Sequence, residues 1–294
     1  MSKTEQFACE DVYLDYQSAK PVDPRVISKM LPYFNEQFGN PSSLHGTGDA
    51  ATNILEESRE MIAKFINAKP SEIIFTSSAT ESNNLALIGY ALRNKKKGNH
   101  IIISEVEHIS IHNIAKYLTR QGFEVSKVPV DSYGRIILRK LKARIRPETI
   151  LVSIGYASNE IGTLQPIKEI GKITRENDIA FHVDAVSAEG LIPIDVEQDD
   201  IDLLSLSSND IYGPRGVGAL YLRKGYRVKP LLIGGGQEKG LRSGSENIPG
   251  IVGFAYAAQL MIEEMDEEVK KLQSYRDKLF GAIPNLIPKS YING

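Results

Sequence analysis

Leu203-Leu-Ser-Leu-Ser-Ser-Asn-Asp-Ile-Tyr-Gly-Pro-Arg-Gly-Val-Gly-Ala-Leu-Tyr221 decides how the rest of the chain is read. Two short apolar strand candidates, Leu203–Leu206 and Gly218–Leu222, flank a polar segment that carries Asn209 and Asp210. Outward from it, further strand candidates stand at Glu72–Thr76, His100–Ser104, Glu124–Val130, Ile150–Tyr156 and Ala180–Val183. Helical patterns lie between them at Asp49–Ile66, Glu81–Asn94, Ser110–Gln121 and Ile167–Glu176. Pairs such as Glu56…Glu60 and Ile62…Ile66 recur at the spacing that shares one helix face. Strands alternating with helices specify an α/β domain on a mainly parallel sheet. Turn chemistry at Lys69-Pro70, Asp131-Ser-Tyr-Gly134 and Pro193 separates the units. After Pro249 the character changes. Ile251 to about Ala282 reads as one long helix, with Glu263, Glu264, Glu267 and Glu268 ahead of Lys270, Lys271, Arg276 and Lys278. Acidic side chains N-terminal to basic ones suit pairing one turn apart.

The bulk numbers exclude several functions. The 294 residues are 41% hydrophobic and 24% charged, ordinary for a soluble globular protein. A net charge of −2 gives no electrostatic case for nucleic acid or an anionic membrane. Lys95-Lys96-Lys97 reads as a solvated helix end. No apolar run approaches the roughly 18 residues that span a bilayer. Met1 to Glu10 lacks the apolar core of a secretory signal. The single cysteine, Cys9, excludes an internal disulfide and fits a reducing, cytoplasmic location. His45, His100, His112 and His182 lack metal-ligand spacing, so no metal site is expected. Gly234-Gly235-Gly236 lacks the strand-to-helix setting of a dinucleotide fingerprint.

Some residues invite chemistry but leave alternatives open. Ser77, Ser78, Ala79 and Thr80 end a strand and open a helix, which suits a phosphate. The same residues also read as an ordinary cap, with Thr80 followed by Glu81. Asp184 ends the apolar strand Ile179-Ala-Phe-His-Val183, where a carboxylate can simply cap the next turn. His108, following a strand, reads by itself as structural, and Asn159 as a turn asparagine.

Ordered motifs along nearly the whole chain decide among these. They are Tyr13-Leu-Asp-Tyr-Gln-Ser-Ala-Lys-Pro-Val-Asp-Pro24, Gly39-Asn-Pro-Ser-Ser-Leu-His-Gly-Thr-Gly48 and Phe75-Thr-Ser-Ser-Ala-Thr-Glu-Ser-Asn-Asn84. Then follow Glu105-Val-Glu-His108, Ser158-Asn-Glu-Ile-Gly162, His182-Val-Asp-Ala185, Gly234-Gly-Gly-Gln-Glu238 and Leu241-Arg-Ser-Gly-Ser-Glu-Asn-Ile-Pro-Gly250. In this order the chain resembles the cysteine desulfurases, class V aminotransferase-like proteins that depend on pyridoxal 5′-phosphate (PLP).

The resemblance implies the large domain of a fold-type-I PLP protein, with a mainly parallel seven-stranded sheet between helices. It implies an N-terminal arm over residues 1–20, a PLP-binding domain over 21–250, and over 251–294 a linking helix with the start of a truncated small domain. Ser78, Ala79, Thr80 and Ser207 would hold phosphate. His108 would stack on the ring and act as acid or base. Asn159 would contact the ring hydroxyl and Asp184 the ring nitrogen. Ser245 would be donated across a homodimer interface. The implied activity takes sulfur from L-cysteine, leaving alanine and a persulfide, for iron–sulfur cluster assembly with a scaffold protein or sulfur acceptor.

The pattern breaks at the cofactor. The family's His-Lys pair, whose lysine forms the Schiff base with PLP, reads Asn209-Asp210 here. Ser187 stands where the family has a glutamine, and the catalytic cysteine and substrate-pairing arginine would lie beyond residue 294. Cys9 is not that cysteine. Asp210 can form no imine, so any cofactor would bind non-covalently, as PLP or as pyridoxamine phosphate (PMP), whose ammonium could pair with Asp210. Lys20, where the family has threonine, could substitute only if its side chain reached position 210. The expected activity is an impaired desulfurase. The alternatives are a non-catalytic scaffold or dimer partner in iron–sulfur assembly, and a PMP-dependent enzyme.

Overall fold

Short runs of Ile, Val and Leu, several closed by a serine, threonine or aspartate, form the strands. The computed structural model describes residues 12–294; Cys9 and most of the arm expected over 1–20 lie outside the described residues. The strands are β1 (Ile73–Thr76), β2 (His100–Ser104), β3 (Glu124–Val128), β4 (Thr149–Gly155), β5 (Ala180–Asp184), β6 (Leu203–Ser207) and β7 (Gly218–Leu222). They form a seven-stranded sheet in the order β1-β7-β6-β5-β4-β2-β3. Strands β2 to β6 pair in parallel, whereas β7 is antiparallel to both β6 and β1. The mainly parallel α/β architecture is as expected.

Helices cover both faces, which is why β2, β5, β6 and β7 are buried throughout. Alternation splits the core. Ile102, Val152, Phe181 and Leu204 enter one cluster, and Ile101, Ile103, Leu151 and Leu203 the other. The first is covered by α1 (Pro24–Met30), α3 (Gly46–Phe65), α8 (Ile167–Glu176) and the start of α9 (Ile248–Leu286). The second is covered by α5 (Tyr90–Asn94), α6 (Ile109–Arg120) and the π-helical turn Leu85–Gly89, which follows α4 (Ala79–Asn84).

Three details depart from the sequence reading. The single helix expected over Glu81–Asn94 is widened at Leu85–Gly89. There the Gly89 carbonyl accepts from Lys229 N–H at 2.9 Å, and a Cβ on Gly89 would lie 2.7 Å from the Lys229 oxygen. The long helix starts at Ile248, because Pro249 falls in its first turn and the Asn247 side chain caps Gly250 N–H. Helices α1, α2 (Pro32–Asn35) and α7 (Leu138–Lys142) were not anticipated, being too short to display an apolar period.

A buried ion pair secures the β1 edge. Arg59 of α3 donates to both carboxylate oxygens of Glu238, at 2.8 and 2.9 Å. Glu238 also accepts from Phe75 N–H at 2.8 Å, occupying a backbone donor that an edge strand would leave open.

Candidate active site

Because β7 reverses direction and β1 reverses it again, β1 runs with the parallel strands. The C-terminal ends of β1, β2, β4, β5 and β6 therefore open on one side, where α/β sheets place their ligands. The loops there bound a cleft of about 1300 Å³. Ser78, Ala79 and Thr80 follow β1, His108 follows β2, and Asn159 follows β4. Asp184 and Ser187 come from β5 and its turn; Ser207 ends β6, and Asn209 and Asp210 lie in the turn after it. All of them line the cleft. Ser245 is exposed and lies outside it.

The turn after β1 is capped by Ser78, which corrects the reading of Thr80 as a cap. The Ser78 hydroxyl accepts from Glu81 N–H at 3.2 Å, and Thr80 sits within the first turn. No described residue accepts from the N–H groups of Ala79 and Thr80. Gly218 lets β7 pass directly beneath: its Cβ would come within 2.7 Å of the Ser78 carbonyl carbon and 3.0 Å of Ala79 N.

A polar chain crosses the floor. Asp184 accepts from Asn83 Nδ2 at 2.8 Å and from Val186 N–H at 3.2 Å. Asn83 Nδ2 also lies 3.2 Å from Ser110 Oγ, which is 2.8 Å from His108 Nδ1. His108 Nδ1 accepts from Ser110 N–H, so the neutral ring carries its proton on Nε2. Burial pushes the Asp184 carboxyl up, against the pull of its Asn83 and Val186 bonds. Beside it, Glu107 accepts from Ser104 Oγ and, at 3.1 Å, from Gly155 N–H; its second oxygen has no partner among the described residues. Burial pushes Glu107 up to about 7.

Asn209 and Asp210 sit in a single 3₁₀ turn that ends at Tyr212, held left-handed at φ 61°. A Cβ on the next residue, Gly213, would lie 2.7 Å from the Ser208 carbonyl oxygen, a close backbone approach that favours glycine. Glu189 is fully enclosed beneath the turn. One of its oxygens accepts from Ser207 N–H at 2.9 Å, and the other has no partner among the described residues. Burial, reinforced by the nearby Asp210 charge, raises Glu189 well above the ordinary carboxyl range. Lys20 meets the reach condition at the backbone: its Nζ donates to the Asp210 carbonyl at 2.6 Å and lies 4.9 Å from the centre of the Tyr212 ring.

Sequence reasoning missed Asn83, Glu107, Ser110 and Glu189. Asn83 and Glu107 stand inside the quoted motifs, and Glu189 is a lone charge between Ala188 and Gly190. The core histidines are fully bonded. His182 lies between Ser153 and Ser205, with burial depressing it to about 3, and His100 lies between Thr149 and Ser126. Among the described residues no helix is long and apolar enough to cross a membrane.

The aminotransferase class-V family model matches residues 12–289. Cysteine desulfurase IscS 1 of Archaeoglobus fulgidus is 54% identical over 282 residues, covering 96% of this chain and 73% of that protein. Cysteine desulfurase IscS of Clostridium botulinum is 46% identical over 285 residues, covering 97% and 72%. Among solved structures, a NifS-like protein superposes with a TM-score of 0.92 at 42% identity, over 94% of this chain and 76% of that one. A structure described as SspA in complex with cysteine gives 0.82 at 41% identity, over 85% and 72%. The chain thus belongs to the aminotransferase class-V family, within its PLP-dependent cysteine desulfurase group.

Proposed function

We propose that the cleft is a PLP site of the cysteine desulfurase type, acting on L-cysteine in sulfur transfer for iron–sulfur assembly, with ordinary turnover impaired at residue 210. Asp184 carries this reading. A buried carboxyl whose pKa is raised, bonded on one side by Asn83, is suited to a cationic partner in the cleft. A protonated pyridine nitrogen is such a partner. The other donors fit the same molecule. The N–H groups of Ala79 and Thr80, with the Thr80 and Ser207 hydroxyls, suit a phosphate. Asn159 and Ser187 suit the ring oxygen, the His108 imidazole the ring face, and Asn209 the phosphate side.

The bound cofactor supplies an electron sink for the substrate's α-carbon. Asp184 keeps the ring nitrogen protonated, and Asn83 holds Asp184 in place. His108, fixed through Nδ1, presents Nε2 for proton exchange in the cleft. Asp210 occupies the position of the family's lysine and has no nucleophilic nitrogen. The names of the IscS relatives support cysteine desulfuration, and the cysteine-bound SspA structure supports L-cysteine as substrate. The same reading includes a cytoplasmic homodimer presenting Ser245 to the neighbouring cleft, and a scaffold protein or sulfur acceptor as partner.

The test is calorimetric titration with PLP and, separately, PMP. Binding is expected, and Asp184→Ala is expected to weaken it about tenfold or more, the equivalent of about 1.4 kcal/mol. A folded protein that binds neither overturns the reading in favour of a non-catalytic scaffold or dimer partner. A second reading, PMP dependence, is favoured by the adjacent Asp210 and Glu189 carboxyls, which suit an ammonium. Tighter binding of PMP than PLP supports it, and equal affinities end it.

A further inference from the structure

We propose that Lys20, reaching into the cleft from the segment before α1, supplies the imine-forming amine that residue 210 does not carry. The inference rests on the reading of the cleft as a PLP site. The Lys20 ammonium ends on the backbone carbonyl of Asp210, 2.6 Å away, beside the Tyr212 ring. Its backbone is docked as well. Asp23 N–H donates to the Tyr212 carbonyl at 2.9 Å, tying the Lys20 segment to the loop that carries residue 210. Asp23 then caps α1, whose first turn takes Pro24. Two lysines line the cleft, Lys20 and Lys271. Lys271 stands on the exposed part of α9 and pairs with Glu268 at 3.7 Å. Lys20 is thus the amine at the strand ends, in the same cleft as Ser78–Thr80, His108 and Asp184.

The chemistry balances without an oxidant or reductant. The neutral Lys20 nitrogen adds to the PLP aldehyde carbon; the C=O bond is replaced by C=N, and the oxygen leaves as water with both nitrogen protons. The reaction needs an uncharged amine. Burial lowers the Lys20 pKa, although the Asp210 and Glu189 charges work against this. The ammonium proton passes to solvent in the cleft, which Lys20 lines. The Lys20 stem has four methylenes, so its tip can leave the Asp210 carbonyl without moving the docked backbone.

The test uses the whole chain with added PLP. Binding is first measured by calorimetry. The complex is then reduced with borohydride, digested and mapped by mass spectrometry, with visible absorbance recorded before reduction. The phosphopyridoxyl group is expected on Lys20. It should be lost, together with the imine absorbance, in Lys20→Arg, and kept in Lys271→Arg. PLP that binds yet leaves no adduct, or an adduct on another lysine, overturns this inference and leaves the site reading standing. No binding at all overturns both. If Lys20→Arg fails to fold, the map of the unaltered protein decides.

Discussion

Replacing Glu107 with glutamine tests whether the floor of the cleft is as dry as its burial implies. The Glu107 carboxyl is raised from 4.5 to about 7, chiefly by burial. At about 1.4 kcal/mol per pH unit, ionising it in the fold is about 3.4 kcal/mol harder than in the unfolded chain. Because the folded pKa lies above the unfolded one, the fold holds the proton more tightly. Its contribution to stability is complete below pH 4.5 and is lost as pH rises through about 7. Integrating the linkage, about 2.5 kcal/mol of that loss falls between about pH 5 and about pH 8. Glu107→Gln keeps an oxygen for Ser104 Oγ and Gly155 N–H, and exchanges one unpartnered group for another. It removes the titration. The assay is urea unfolding of both proteins across this range at one protein concentration. The variant should gain on the parent by about 2.5 kcal/mol between the two ends, about 1 M in the midpoint. A gap between the proteins that does not change with pH would refute the reasoning, because it would mean that Glu107 ionises as freely folded as unfolded.

Three further outcomes follow from named contacts. Arg59→Met strands the buried Glu238 carboxylate and should destabilise the fold by about 3–5 kcal/mol in urea unfolding. Glu238→Gln, which retains an acceptor for Phe75 N–H, should lose less. Asp210→Lys should move the borohydride-trapped adduct from Lys20 to residue 210, read by the same peptide mapping; an adduct that stays on Lys20 would mean that residue 210 does not face the bound aldehyde.

Much of this was legible because it is local. The strands announced themselves as apolar runs, and Ile167–Glu176 matches its helix end to end because one amphipathic face packs on the sheet. The cleft residues were legible as motifs, since each loop at the strand ends carries a short polar signature. What the sequence hid depends on contacts between distant segments. The widening at Leu85–Gly89 coincides with a bond from distant Lys229 to Gly89, and the capping turn at Ser78 packs on Gly218 of β7. The Lys20 contact spans 190 positions and exists because Asp23 pairs with Tyr212. Glu189 looked unremarkable because its neighbours, Ser207 and Asp210, come from β6 and the turn after it.

An aspartate at residue 210 brings negative charge toward a site proposed to accept a phosphate, and like charges in a partly dry cleft repel more strongly than at the surface. The surroundings reduce that charge. Burial raises the pKa values of Glu107, Asp184 and Glu189, so the acids around Asp210 hold protons more readily than free carboxyls do. Lys20 adds a positive charge beside the Asp210 backbone. Such a set is suited to a ligand that is anionic at one end and cationic at the other, with phosphate at the Ala79–Thr80 turn and positive charge toward Asp184 and Asp210. A purely anionic ligand such as inorganic phosphate meets the donors of the turn but gains nothing from those carboxylates. A bare ammonium meets the carboxylates but gains nothing from the turn. The electrostatics of the cleft therefore select for both ends in one molecule, which is the charge pattern of a protonated pyridine bearing a phosphate.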